Sequence, residues 1–489
     1  MAPGRGYREE SDSLGKKGVP RDAYYGIFTQ RALENFQLSG SRVHSELVKA
    51  LGMVKAACAQ ANMSLGLLDR RIGSAIAKAA MDVAGGRLGG WFPLDVYQAG
   101  AGTPTNMNAN EVIANRAIEL LGGKRGDYDI VHPNNHVNMS QSSNDAMPTA
   151  IRLACLGLST RLARELGLLS VSLEKKAREF RDVIKVGRTH MQDAVPIMLG
   201  QEFQSYATAM TRCSGRIRKS MDGLLEVGLG GTAVGTGLNT HPKFRKEAVK
   251  RLAALSGYGL YPAKDPIHAT NSMDSFMELS SSLRLLASEM LRICDDFVLM
   301  NAGPNAGINE IELPAVEPGS SIMPGKINPS IAEALKMACL QVLGNDHAVA
   351  EACREGQLEL NVMTPLIADN LLLSLGLLSR GARMFREKCV AGIKANRERI
   401  GELFDMNLSV ATALNPYLGY ENTTKLVKLS LRQNKPLREL ILEHGLMSKK
   451  DIDILLDPGK LTGPREIDKA LLKRIRESKG FGRFSGGRI

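Results

Sequence analysis

Apolar residues in the middle of this chain recur at alternating steps of four and three: Leu279, Leu283, Leu286, Met290, Ile293, Phe297 and Met300. This is a heptad seam held for about three heptads, a spacing that suits an α-helix and no β-strand of period two. A second series runs Ile151, Cys155, Leu158, Leu162, Leu166, Leu169, Leu173, Ala177, Phe180 and Ile184, with a four-residue stutter at Leu166. Helices of that length cannot cover their own stripes, so they must pack side by side, within one chain or between copies of it. Further periodic stretches, Glu202 to Leu225, Ile331 to Val349 and Asn361 to Ile393, make the centre of the chain one long-helix bundle. Coiled-coil spacing is also the spacing of oligomer interfaces, and a homo-oligomer is expected.

Composition agrees with an all-α, ordinarily globular protein. Of 489 residues, 44% are apolar and 23% charged, which supplies a sizeable core and excludes disordered, collagen-like and disulfide-scaffold classes. The excess of 63 Lys and Arg over 51 Asp and Glu leaves +12, spread along the chain and enriched only at its ends. A solvated basic surface accounts for it, and no nucleic-acid partner is expected. Cys58, Cys155, Cys213, Cys294, Cys339, Cys353 and Cys389 are scattered, never in a CxxC arrangement, and several sit in apolar runs. They read as reduced core thiols of a cytoplasmic protein, with no metal site. No apolar run approaches the roughly 20 residues of a membrane span. Met1 to Gly18 is polar and lacks the apolar segment of a secretory leader, so no membrane association is expected.

Three segments follow from this reading: a mixed N-terminal domain over 1–145, the long-helix bundle over 146–400, and a small helical domain over 401–489. The end of the last, Lys473 to Ile489, is basic and glycine-rich and is expected to be disordered. Segments rich in Gly, Pro, Asn and Thr interrupt the helices at Gly100–Asn110, His132–Asp145, Gly187–Pro196, Gly228–Thr240 and Pro314–Pro329. Polar loops on a rigid scaffold are where chemistry is usually placed. Gly228–Thr240 lacks the strand and lysine context of a phosphate-binding loop.

The stretch from Gly319 to Pro329 concentrates two adjacent hydroxyls, backbone N–H groups, the ammonium of Lys326 and the amide of Asn328 between glycines. Such a set can bind a carboxylate and stabilise negative charge developing on it. A serine whose proton is withdrawn by loop dipoles could also serve as a base. On composition alone, a plain surface loop is the favoured reading.

Gly319 to Asn328 resembles the hallmark loop of the fumarase/aspartase superfamily. Gly102 to Glu111, Ser140 to Asp145 and Gly187 to Asp193 are similar, in the same order, to its first, second and third substrate loops. The resemblance extends from Asp12 to Pro464, nearly the whole chain. It implies a long-helix bundle shared by a homotetramer, with each active site drawing loops from three subunits. It also implies a trans elimination, free of cofactors and metals, that releases fumarate from a small dicarboxylate.

Carried over residue by residue, Ser320 is the base that removes the C3 proton. Lys326, Asn328 and Thr189 hold the carboxylate into which the carbanion delocalises. Thr103, Ser142, Ser143 and Asn144 hold the other end of the substrate and its leaving group. His190, oriented by Glu333, contacts the substrate or its water. From its position before an apolar run, Asp145 reads as a helix N-cap, and Ser140 and Gln141 as shapers of their loop.

Within the superfamily, Ser142–Ser143, the glycine-rich run Gly230 to Gly237, and Gly325 are fumarase-like. Asp95 to Gly102, Met139, Ala194 to Pro196 and Gly356 to Met363 are aspartase-like. His132 to Asn135 resembles a secondary carboxylate-binding segment, but Asn135 replaces the usual Asp. These features lead to elimination of ammonia from L-aspartate as the expected reaction, with L-malate and water as the alternative. A non-catalytic member is the third reading, and intact Ser320, Lys326, Asn328, Thr189 and His190 stand against it.

Overall fold

The computed structural model describes residues 6–486, and it is mainly helical, with 62% helix and a few short strands. The first part of the chain runs β1 (Tyr7–Asp12), β2 (Gly15–Pro20), α1 (Ile27–Asn35), α2 (Ser45–Ser64), α3 (Arg70–Ala84), α4 (Thr103–Leu120) and α5 (Ser143–Glu179). A hairpin of β3 (Ile184–Thr189) and β4 (Gln192–Met198) follows, then α6 (Leu199–Ser220), β5 (Glu226–Val227), α7 (Phe244–Ser256), β6 (Tyr261–Pro262), α8 (Pro266–Asn271) and α9 (Asp274–Met300). After β7 (Ile311–Glu312) come α10 (Ser330–Arg354), α11 (Thr364–Lys388), β8 (Lys394–Ala395) and α12 (Arg397–Asp405). The chain closes with α13 (Asn415–Leu418), α14 (Tyr420–Gln433), α15 (Leu437–Glu443), α16 (Lys449–Leu455), α17 (Lys469–Arg476) and α18 (Lys479–Gly486). All strands lie in two-stranded pairs, antiparallel except for β5 with β6.

By compactness the chain forms two units. One comprises the residues up to Leu166, Arg212–Leu291 and Lys336–Ala382; the other comprises Gly167–Thr211, Arg292–Leu335 and the residues from Arg383 onward. The unit boundaries fall inside α5, α6, α9, α10 and α11, the five longest helices.

Both apolar series are buried. Every residue of the Leu279 to Met300 seam is at most 5% exposed. Burial of each such side chain contributes about 1.5–3 kcal/mol relative to leaving it in water. The second series is buried from Ile151 through Phe180, but α5 stops at Glu179, and Ile184 opens β3 instead. In the second unit, Phe180, Phe203, Phe297 and Phe385 form a chain of rings with centroids 5.1, 5.4 and 5.5 Å apart.

The C-terminal helices have a core of their own, built on Leu414, Tyr417, Leu426, Leu440, Ile441 and Ile452. The disordered tail expected from composition is instead folded as α17 and α18. Leu471, Ile475 and Phe484 are buried in that core, and Arg474 pairs with Asp451 at 2.8 Å. Three apolar anchors, two of them one turn apart in α17 and the third in α18, outweigh the basic, glycine-rich composition. Gly487, Arg488 and Ile489 lie outside the described residues, as do the first five residues of the N-terminal stretch.

The seven cysteines are free; six are buried and Cys353 is half-buried. Burial pushes the Cys155, Cys339 and Cys389 thiols up to about 12. Among the described residues no helix is long and apolar enough to cross a membrane.

Leu286, fully buried in the seam, provides a test of this packing. Leu286→Ala should lower stability by about 2–5 kcal/mol, read as an earlier midpoint in denaturant unfolding. An unchanged midpoint would mean that the seam is not packed.

Candidate active site

In the first unit, the residues expected to hold the substrate collect where two helices begin. Gly102, at φ +71°, breaks the chain in the left-handed region, and Thr103 then starts α4. Ser142 caps α5: its Oγ accepts from Asn144 N at 3.2 Å, and its own N–H donates to Asp145 Oδ1 at 2.9 Å. This reciprocal capping box makes Ser142 the N-cap and Asp145 its partner in the first turn, correcting the reading of Asp145 as the cap. The second oxygen of Asp145 accepts from Gly230 N at 2.9 Å and Thr232 N at 3.0 Å, tying Gly228–Thr240 to the start of α5. Burial raises the Asp145 pKa, against three backbone N–H donors that lower it. Asn144 Nδ2 donates to Ala233 O at 2.7 Å.

The starts of α4 and α5 lie together. Asn106 Nδ2 donates to Ser143 Oγ at 3.1 Å, and a Cβ on Gly102 would stand 2.7 Å from the end of Met147. Two helix N-termini with their free N–H groups and positive dipole ends suit an anion.

Beneath them lies a polar layer that sequence reasoning missed. Lys55 of α2 is fully buried, and its Nζ donates to Asn106 Oδ1 at 2.7 Å and Asn138 Oδ1 at 3.0 Å. Burial pulls its pKa down to about 8, with Asp145 acting in the opposite direction. Asn62, two turns along α2, donates to Met139 O at 3.1 Å and accepts from Ser140 Oγ at 3.0 Å. Gln141 Nε2 donates to Val137 O and Met139 O, so Ser140 and Gln141 shape the loop as expected. The available signal was a single lysine within the apolar run Leu51 to Cys58.

In the second unit, Thr189 and His190 stand exposed at the tip of the β3–β4 hairpin. The turn residues His190 and Met191 both have positive φ, 54° and 59°. Type I′ turns prefer Asn-Gly there, so each residue carries a backbone cost of about 1–3 kcal/mol. The hairpin is braced from inside. Arg188 donates to Glu310 Oε1 at 2.8 Å, and Lys185 lies 3.0 Å from Glu310 Oε2 and 2.9 Å from Glu202. Glu310 and Lys185 are both buried. Near β4, Asn407 Nδ2 donates to Ala194 O at 3.1 Å and Ser409 Oγ to Asp193 O at 3.1 Å.

Also in the second unit, Gly319 to Asn328 forms a loop closed at its neck. Gly319 N donates to Lys326 O at 2.9 Å, and Asn328 Nδ2 donates to Gly319 O at 2.6 Å. A Cβ at Gly319 would lie 2.3 Å from Lys326 O, so only glycine closes this neck. Inside the loop, Ser320 Oγ accepts from Ile322 N at 3.2 Å and Met323 N at 2.9 Å. Two N–H dipoles aimed at one hydroxyl oxygen favour the charge it carries once deprotonated. Lys326 is exposed, and its side chain has no partner among the described residues. Asn328 closes the loop with one amide proton. Glu333 is exposed in the first turn of α10 and makes no hydrogen bond or ion pair with His190 in a single chain. Among the described residues no three His, Cys, Asp or Glu side chains gather as metal ligands would.

Comparison with known proteins matches residues 15–344 to a family described as lyase and residues 410–463 to one described as fumarase C C-terminus. An aspartate ammonia-lyase of Bacillus subtilis is 46% identical over 96% of this chain and 98% of its own length. A class II fumarate hydratase of Nitrosomonas europaea is 45% identical over 93% of this chain and 99% of its own. The crystal structure of a class II fumarase from Schistosoma mansoni superposes with a TM-score of 0.90 at 39% identity, covering 94% of this chain and all of that one.

The glycine neck yields a prediction. Gly319→Ala should lower kcat/KM by about a hundredfold, the effect of misplacing a reacting group by about 1 Å, while the thermal midpoint stays that of the parent. Parental activity would show that the neck geometry is irrelevant.

Proposed function

The chain belongs to the fumarase/aspartase superfamily of lyases, and from that premise we propose that it eliminates ammonia from L-aspartate, reversibly and in trans fashion, to give fumarate. The observation that carries this reading is the pair of backbone N–H groups on Ser320 Oγ. Deprotonated, that oxygen takes the proton from C3, and the electron pair left on carbon delocalises into the neighbouring carboxylate as an enediolate-like dianion. Lys326, Asn328 and Thr189 stabilise this charge, which exists only beyond the ground state and so lowers the barrier. The C–N bond then breaks and the amine departs with its electron pair, taking up a proton. Thr103, Ser142, Ser143 and Asn144 hold the other end of the substrate and the leaving group, and His190 contacts the substrate.

His190 and Glu333 are both exposed and unpaired with each other in one chain, which supports their meeting across a subunit boundary. Exposed apolar residues on the long helices, Val171, Leu285, Met337 and Leu340, support a homotetramer in which copies cover them. Buried free thiols suit a cytoplasmic location.

Preference for an amine leaving group is supported by the relatives named aspartate ammonia-lyase and by the aspartase-like segment Gly356 to Met363. Val362 O accepts from Ala101 N at 2.9 Å, and a Cβ on Gly100 would meet Val362 at 2.7 Å, so this segment backs the loop that carries Thr103. The second reading, hydration of fumarate to L-malate, is favoured by the hydroxyl pair Ser142–Ser143.

Fumarate absorbance with L-aspartate and L-malate in parallel decides between them. Fumarate and ammonia in equal amounts from L-aspartate are expected; fumarate from L-malate alone overturns the amine assignment. Lys326→Ala should lower kcat and also raise KM by about 10- to 100-fold, as loss of a charged hydrogen bond does, with an unchanged thermal midpoint. An unaltered KM would remove Lys326 from the carboxylate site.

A further inference from the structure

Lys55 has no solvent access, and among the described residues no carboxylate is within hydrogen-bond reach of its ammonium. Asp145 acts on it through space, while the carboxylate of Asp145 is engaged by three backbone N–H groups. A buried charge without a directly bonded counter-ion is costly, and a fold keeps one only where the surroundings are built for it.

Those surroundings lead to Ser143. Because Asn106 Oδ1 faces Lys55, the Asn106 amide nitrogen points the other way, donating to Ser143 Oγ at 3.1 Å and to Asn138 Oδ1 at 3.2 Å. Asn138 Oδ1 accepts from Lys55, Asn106 and Asn110 together, which turns Asn138 Nδ2 toward Gln141 O at 3.2 Å, in the loop entering Ser142. The Asn106 N–H takes one of the two lone pairs of the Ser143 hydroxyl, which keeps its proton and one lone pair, and the positive charge behind it favours donation of that proton to an anion.

We infer that Lys55 is a positioning residue which, through Asn106, makes the Ser143 corner a donor site for a substrate carboxylate and not an acceptor site for its ammonium. The inference rests on the lyase reading above and refines it. Ser143 holds a carboxylate, and the leaving amine is left to Thr103, Ser142 and Asn144. Both the relayed N–H and the buried positive charge act in the same sense, favouring an anion and repelling an ammonium.

The test compares Lys55→Met and Asn106→Asp in the full-length protein with the parent. Asn106→Asp keeps an oxygen on Lys55, so the fold is held, but it cancels the charge and deletes the donor to Ser143. Succinate, a dicarboxylate without an amine, serves as the binding probe. Both variants should bind succinate at least about tenfold more weakly, a change of about 1.4 kcal/mol. KM for L-aspartate should rise to match, with kcat within about threefold of the parent. Combined with Ser143→Ala, Asn106→Asp should cost less than it does alone, because the part relayed through that hydroxyl is already lost.

A folded Asn106→Asp variant with parental succinate affinity and KM overturns the inference, as does a loss confined to kcat. If Lys55→Met fails to fold, Asn106→Asp alone decides. A parent that binds succinate but releases no fumarate from L-aspartate sinks the lyase reading, and the succinate affinities of the variants still settle the role of Lys55. A parent that does not bind succinate overturns both.

Discussion

An apolar stripe along a 37-residue helix has to be covered from end to end, and α5 shares this requirement with the 27-residue α9. Side chains on those stripes cannot carry chemistry without breaking the packing that holds the helices. Polar function is therefore displaced to where helices start and stop. Thr103 opens α4, Ser142 to Asn144 open α5, and the Gly319 to Asn328 loop leads directly into α10. Helix starts also supply unpaired N–H groups and a positive dipole end, which suits a dianionic substrate. The scaffold and the anion preference thus have one origin.

Charges that are nevertheless buried serve as braces. Glu310 receives Arg188 and Lys185 behind the β3–β4 hairpin, and the Lys55 layer lies beneath the start of α5. Leaving either without partners would cost several kcal/mol, so each defines one arrangement of its neighbours. The hairpin brace also explains how His190 and Met191 remain at positive φ, a conformation that ordinary side chains leave when the surroundings allow it.

Much of this was legible in the sequence. The seams predicted buried helices because period and burial are the same fact seen twice, and the loops stood out because Gly, Pro and hydroxyl residues cluster only where helices break. Four features were not legible. The partners of Lys55 are Asn106 and Asn138, 51 and 83 residues away along the chain, so no local pattern could pair them. Composition suggested a disordered tail, whereas Leu471, Ile475 and Phe484 meet a core contributed by α13 to α16. Ser142 and Asp145 are both good capping residues, and only the backbone shows which is the cap and which reaches back. Ile184 continued the apolar series, yet the chain had already left the helix.

The central claim is that Ser320 Oγ, polarised by the N–H groups of Ile322 and Met323, removes the C3 proton. Its most direct test is single-turnover fumarate release from L-aspartate by Ser320→Ala, with substrate affinity measured on the same protein. The account predicts no detectable fumarate and a dissociation constant within about threefold of the parent, since the group acts in the transition state and not in ground-state binding. Near-parental turnover by Ser320→Ala would contradict it and move the base to another residue.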